Sequence, residues 1–159
     1  MFRSIVVRRS PIHGTGVFAN RKLPAGKTVV QYRGTVISHD EADQLHEGGA
    51  DTGHTFLFTL NDEYVIDANR RGNSARWINH SCEPNCEAVI VEDERGDRTR
   101  DRIFIETIRP IRRGEELTYD YGITVPGRHT AKIKRMWTCL CGSSRCTGTM
   151  LYQRRKKSS

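Results

Sequence analysis

The densest chemistry in this sequence is the run Cys139-Leu140-Cys141-Gly142-Ser143-Ser144-Arg145-Cys146, which sets three thiols within eight residues. A structural Zn²⁺ takes four ligands at the corners of a tetrahedron, so this loop needs one more donor from elsewhere. No histidine sits in the loop, which leaves Cys82 and Cys86 as candidates. Five cysteines make an odd count in a chain with no export signal, and this argues against a disulfide framework. The Cys139–Cys141 spacing is shorter than a usual zinc-finger pair, and unrelated buried thiols are the plainer alternative. If a metal binds, a mid-chain ligand pins a C-terminal segment that is too short to bury a core alone. Metal binding then supplies its folding energy.

A second group of reactive types is spread along the chain. His13-Gly14-Thr15-Gly16-Val17-Phe18-Ala19 is a glycine loop feeding a strand, a weak signal alone because glycines also make simple turns. Asn79-His80-Ser81-Cys82-Glu83-Pro84-Asn85 and Glu116-Leu117-Thr118-Tyr119-Asp120-Tyr121 are richer. Singly, His80 reads as a hydrogen-bonded structural residue and Tyr121 as a core aromatic. Asp67, Asn73 and Glu116 read as braces for loops.

Short alternating segments must position these residues. Ser4–Arg8, Gly16–Ala19, Thr28–Tyr32, Thr35–Ile37, Thr55–Leu60, Tyr64–Asp67, Glu87–Val91, Arg102–Thr107 and Glu116–Tyr119 are rich in β-branched or aromatic residues. Gly, Pro, Asn or Asp bounds each, the pattern of strands and turns. Asn61-Asp62 and Glu94–Thr99 read as hairpin connections. Ser38-His39-Asp40-Glu41 is a capping box that predicts a helix of about two turns, stopped by Gly48-Gly49. A second short helix is expected near Asn73–Ile78. The expected fold is mostly β with short helices, in several small sheets. Gly122–Arg135 carries Pro126-Gly127 and little periodicity, which reads as a linker or mobile loop.

Composition bounds the rest. The 159 residues suit one domain with a small appendage, at 36% hydrophobic content and a mean hydropathy of −0.63. No apolar run approaches the ~20 residues that span a bilayer, and Met1-Phe2-Arg3 starts no secretory leader. No membrane association and an intracellular location, cytoplasmic or nuclear, are therefore expected. Lys and Arg total 26 against 19 acidic residues, a formal charge of +7 that favours acidic partners or nucleic acid. Much of the excess lies in Arg109–Arg113, Lys132–Arg135 and Arg154–Lys157, which also suit a solvated face or tail. The charge permits nucleic-acid contact without requiring it.

Taken in order, the glycine loop, Tyr32-Arg33-Gly34, Ile66-Asp67-Ala68, Gly72–Cys86, Gly114–Gly122 and the cysteine loop with Gly148 and Leu151 resemble a SET domain followed by a zinc-binding post-SET segment. These are the protein-lysine methyltransferases. The resemblance covers about residues 3 to 152 and implies a minimal arrangement without the cysteine-rich pre-SET region. It divides the chain into a SET domain (3–122), a linker (123–138), a post-SET segment (139–152) and a basic tail (153–159). It implies a β-rich fold with pseudoknot-like threading of the C-terminal strand, a departure from ordinary topology.

The implied activity is methyl transfer from S-adenosylmethionine to a lysine of a protein, with histone tails the usual substrate. By the same resemblance Gly14, Gly16, Arg76, Asn79, His80 and Leu140 line the cofactor pocket, and the Leu151-Tyr152 pair helps to cover it. Tyr32, Tyr119 and Tyr121 form the lysine channel, with Tyr121 aligning the amine and Tyr119 at the position that sets the degree of methylation. Cys82, Cys139, Cys141 and Cys146 are the implied zinc ligands, leaving Cys86 free. Phe56 stands where many members carry a further channel tyrosine, which bears on substrate choice and product state. Asp40, Glu41, Asp43, Glu47, Asp51, Glu92, Asp93 and Glu94 are available to rim a groove for a basic peptide. A catalytically silent SET-type binding module and a basic zinc domain for nucleic acid are the competing readings. The target protein, its lysine, the product state and the oligomeric state stay open.

Overall fold

The computed structural model of the protein describes residues 4–46, 56–122, 131 and 137–150. Among the described residues, ten strands and the helix α1 follow one another: β1 (Ile5–Arg9), β2 (Thr15–Ala19), β3 (Thr28–Tyr32), β4 (Thr35–Ser38), α1 (His39–His46), β5 (Leu57–Thr59), β6 (Tyr64–Asp67), β7 (Asn79–His80), β8 (Cys86–Val91), β9 (Arg102–Thr107) and β10 (Thr118–Tyr119). They form four small sheets rather than one large one, as the sequence predicts. β1 pairs with β2, β9 lies between β3 and β8, β6 lies between β4 and β5, and β7 pairs with β10.

Side-chain alternation explains the layers. In β9, Ile103, Ile105 and Thr107 are buried while the residues between them are more open, the period-2 pattern of a sheet packed on one face. These isoleucines join Val17, Leu23, Leu60, Ile78, Ile111 and Leu117 in a single core, all nearly inaccessible to water. β6 is buried along Val65, Ile66 and Asp67, as a strand flanked on both sides should be.

The connections follow local rules. Asn61 Oδ1 accepts the Glu63 and Tyr64 N–H groups at 2.9 and 2.8 Å, closing the β5–β6 hairpin as expected of an Asn turn. At α1, Ser38 Oγ accepts the Glu41 N–H at 3.1 Å. The Glu41 carboxylate reaches back and accepts the Ser38 hydroxyl proton at 3.4 Å. The expected stop at Gly48-Gly49 lies outside the described residues, as do most of Gly122–Arg135, the Leu151-Tyr152 pair and the basic tail.

The second short helix expected near Asn73–Ile78 is a 3-10 helix, Ser74–Trp77. The strand expected over Glu116–Tyr119 is reduced to Thr118–Tyr119, with Glu116 making a lone bridge to Phe18. β7 was not expected at all. It is two residues long, and its partner β10 lies beside it in parallel, Thr118 opposite Asn79 and Tyr119 opposite His80. That pairing lays the chain's late segment against its middle, where the threaded arrangement is expected.

Candidate active site and cysteine cluster

The β7–β10 pair organises the site. Asn85 fixes its register from the side: its Nδ2 donates to the Glu116 carbonyl at 2.8 Å and its Oδ1 accepts the Thr118 N–H at 2.9 Å. Both Asn85 and Thr118 are buried, so satisfying these backbone groups matters for stability.

Below this pair lies a carboxylate hub. Ser10 Oγ donates to Glu116 within 2.8 Å. Asn79 Nδ2 donates to the same carboxylate at 2.8 Å and reaches the His13 and Thr15 carbonyls at 3.2 Å each. The glycine loop is thereby tied to β7 and β10. A Cβ on Gly16 would stand 2.4 Å from Glu116 Oε2 and 2.9 Å from Ser10 Cβ. Gly16 is therefore required by this internal contact, whereas Gly14 has a left-handed φ of 43° and open space beside it. Glu116 is a brace, as the sequence predicts. Ser10 was missed, and only its place just before the glycine loop hinted at a role.

Four aromatic rings adjoin the hub. Tyr32 meets Phe58 at 5.1 Å between centroids, Phe58 meets Tyr119 at 5.9 Å, and Tyr119 meets Tyr121 at 4.8 Å. Burial pushes the phenol pKa of Tyr32, Tyr119 and Tyr121 upward, reinforced at Tyr32 by the charge of Asp67, so all three stay protonated at neutral pH. Tyr121 donates its hydroxyl proton to the Ile78 carbonyl. Phe58, which the sequence reading did not single out, supplies the fourth ring. Phe56 instead lies edge-on to Trp77 at 5.1 Å, with a φ of 53° that turns it out of β5.

His80 joins the two halves of the site. Its Nδ1 accepts the Tyr121 N–H at 3.0 Å, which makes Nδ1 the bare nitrogen and puts the proton on Nε2. Nε2 faces Cys82 Sγ at 3.6 Å. Burial lowers the imidazole pKa, against the opposing charge of Asp120. A cleft between His80, Asn79, Ile12, His13, Thr138, Leu140 and Met150 opens beside this ring. Gly14 borders it in sequence. Arg76 is not among its walls: the guanidinium stacks 4.5 Å over Trp77 and donates to the Ala68 carbonyl at 3.3 Å.

The sulfur atoms of Cys82, Cys139, Cys141 and Cys146 lie within 4.8 Å of one another. Cys82 is 3.7 Å from Cys139 and 4.0 Å from Cys146, close to the edge of about 3.8 Å that a tetrahedron with Zn–S bonds of about 2.3 Å requires. The Thr147 and Gly148 N–H groups donate to Cys82 and Cys146, as they do to thiolates. Burial raises the Cys139 thiol, while backbone donors bring Cys141 down to about 6 against its own burial. Thiols packed this closely ionise together only beside a cation, so the donor set fits Zn²⁺. Cys86 sits apart in the core, its thiol pushed up to about 12 by burial. Glu83 fastens the loop to the body, accepting the Ser143 hydroxyl at 2.6 Å and pairing with Arg145 at 3.3 Å.

Among the acidic residues available to rim a groove, Asp93 is turned into its own loop, where it accepts the Arg95 and Asp97 N–H groups. Asp67 accepts from Asn69 and Arg70, and Asn73 bridges the Gln31 carbonyl and the Arg33 N–H. Both are braces, in keeping with the sequence reading.

Residues 14–122 match the family model described as the SET domain. The chain is 39% identical over 146 residues to human "Histone-lysine N-methyltransferase 2B", covering 90% of this chain and 5% of that protein. It is 39% identical over 150 residues to the "Histone-lysine N-methyltransferase, H3 lysine-4 specific" of Aspergillus oryzae, covering 88% and 11%. Against "Histone-lysine N-methyltransferase trithorax" of Drosophila melanogaster the identity is 40% over 141 residues, covering 88% and 4%. The chain thus spans a small fraction of the length of the curated relatives it matches.

Proposed function

The chain belongs to the SET-domain family, and from that footing we propose that it methylates the ε-amine of a lysine in a histone tail. The observation that carries this reading is the run of Tyr32, Phe58, Tyr119 and Tyr121 rings set against the cleft at Asn79 and His80. S-adenosylmethionine, when bound, supplies the methyl group. Its place at this cleft is supported by the mixed lining, polar at His13, Asn79 and His80 and apolar at Leu140 and Met150. Gly14, with open space beside it, suits close approach of a ligand to backbone. Gly16 and Arg76 act one step removed, through Glu116 and Trp77 respectively.

The tyrosine array acts on the substrate. Free lysine has a pKa near ~10.4, and only its neutral amine is nucleophilic. Apolar ring faces disfavour the ammonium by desolvation and favour loss of its proton. The Tyr121 hydroxyl, whose proton goes to the Ile78 carbonyl, accepts one hydrogen bond from an amine N–H and so turns the amine lone pair towards the methyl group. Tyr119 narrows the space beside it. Zn²⁺ held by Cys82, Cys139, Cys141 and Cys146 is structural and fastens residues 139–150 over the cleft edge at Leu140. We divide the chain at 3–122, 123–138, 139–152 and 153–159 accordingly. The histone substrate also places the protein's action at chromatin.

The test is methyl transfer from radiolabelled S-adenosylmethionine to purified histones, with Tyr121→Phe beside wild type. Wild type should label a histone. The variant should lose at least about a hundredfold in kcat while binding the cofactor within a few-fold, as a group acting in the transition state requires. No labelling of any histone, or turnover by the variant close to wild type, would sink the proposal.

A further inference from the structure

A second cleft among the described residues is larger than the one beside His80. It encloses about 480 Å³ between the end of β3, the start of β4, the turn after β6 and the start of β9. Arg33, Arg71, Arg100 and Arg102 line it. All four are exposed. Asp93 and Asp101 also line it and offset part of this charge, which leaves two more arginines than carboxylates. Asp101 is buried and takes hydrogen bonds from the Asp93 N–H at 2.9 Å and Asn61 Nδ2 at 3.0 Å, with Arg98 at 3.7 Å. Asp93 is occupied by the N–H groups of its own loop. Arg100 has one loose partner, Asp97 at 3.6 Å on an exposed rim. Among the described residues, no carboxylate pairs with Arg33, Arg71 or Arg102.

The frame holding these arginines is stiff. The two aspartates tie the β8–β9 connection to itself and, through Asn61, to the β5–β6 hairpin. Arg71 adds an independent sign. Its φ is 56°, a left-handed conformation where glycine or asparagine is the undemanding choice, yet an arginine is kept there and presented to solvent. Four guanidinium groups with unspent donors on a rigid wall suit phosphate oxygens, which they bind in a bidentate fashion.

We propose that this arginine cleft is a binding site for the phosphodiester backbone of duplex DNA, read without regard to sequence. A polyanion is favoured over a small anion because the charge does not end at the cleft. The four exposed arginines are spread around an open cleft too large for one small anion, Arg95 stands exposed in the adjoining loop, and the chain as a whole carries a formal charge of +7. One wall of the cleft is the Gln31–Gly34 segment, the same strand end that delivers Tyr32 to the aromatic array. A duplex seated here lies beside the channel proposed for lysine. The site is separate from methyl transfer, and its test does not depend on that activity.

Binding of the full chain to a labelled duplex of about 25 base pairs is followed by fluorescence anisotropy from about 50 to 200 mM salt. The variant is Arg71→Gly with Arg100→Gln; glycine suits the left-handed backbone, so the fold is kept or strengthened. The control, Arg112→Ala with Arg113→Ala, removes equal charge elsewhere. The cleft variant should weaken binding at least about tenfold at low salt and flatten the salt slope by about 2, the loss of two phosphate contacts. The control should stay within about threefold, and the cleft variant should label a short histone peptide as wild type does. Equal losses in both variants, or no duplex binding by wild type, would overturn the proposal. So would a poly-glutamate competitor that binds more tightly than the duplex with the same dependence on Arg71 and Arg100, since the partner would then be an acidic protein.

Discussion

Replacing Gly16 by alanine tests the carboxylate hub directly. The new methyl would stand 2.4 Å from Glu116 Oε2 and 2.9 Å from Ser10 Cβ, well inside an ordinary carbon contact of about 3.5 Å. Glu116 must swing away by about 1 Å, which breaks the 2.8 Å bonds from Ser10 Oγ and Asn79 Nδ2. Hydrogen bonds to a charged group contribute about 1.5–3 kcal/mol each, and the half-buried setting of Glu116 places them at the lower end, about 3 kcal/mol together. Alanine returns about 0.5–1 kcal/mol by restricting the unfolded chain. The net loss is about 2 kcal/mol, or a fall in Tm of roughly 4–8 °C. Urea unfolding followed by the fluorescence of Trp77 and Trp137 measures it. In a Glu116→Ala background the same substitution should cost no more than about 1 kcal/mol, because the carboxylate it strikes has gone and Ser10 is released. A loss below about 0.5 kcal/mol in wild type, or strict additivity in the double mutant, would refute the reasoning.

Three other outcomes are expected. Zinc should copurify at about one ion per chain and be lost in Cys82→Ser but retained in Cys86→Ser, which elemental analysis reads; Cys86→Ser should still lower stability by about 1–3 kcal/mol, because a hydroxyl enters the core. Tyr119→Phe should shift products from mono- towards di- and trimethyl-lysine without abolishing activity; a later barrier lowered by ~1.4 kcal/mol speeds that step tenfold, and mass spectrometry with excess cofactor shows it. Burial works against the charge of Asp67, but hydrogen bonds from Asn69 and Arg70 hold its pKa below the usual carboxylate range. A depressed carboxyl stabilises the fold above its unfolded pKa and loses that effect as pH falls through the folded one. Asp67→Asn should therefore cost about 1–3 kcal/mol at pH 7 and progressively less below about pH 4, by urea titration across pH.

What could be read from the chain was local. Strands β3, β6 and β9 fall on the expected residues because each alternates within itself and ends at its own turn, and Asn61 closes its hairpin with its own side chain. β7 was illegible because two residues carry no period, and their partner lies far down the chain. The link from Ser10 to Glu116 spans 106 positions and leaves no trace in either neighbourhood. Phe56 and Phe58 share a parity that puts both on one face of an ideal strand. The positive φ at Phe56 breaks that face, and no propensity of phenylalanine announces it. Charge misled in a similar way. The visible runs at 109–113, 132–135 and 154–157 are contiguous, whereas the arginines that share a cleft come from positions 33, 71, 100 and 102.

The parallel pairing of β7 with β10 also sets an order of events during folding. The Asn79-His80 strand leaves the ribosome long before Thr118-Tyr119 can join it, and Cys82 waits for a partner 57 residues further on. The β1–β2 and β5–β6 hairpins close over short loops and can form early. The late pairing closes long loops before any contact rewards it, which slows the final step. A nascent or truncated chain ending before residue 118 therefore holds its hairpins and an unfilled slot between them, a state in which chaperone binding and proteolysis compete with completion of the fold.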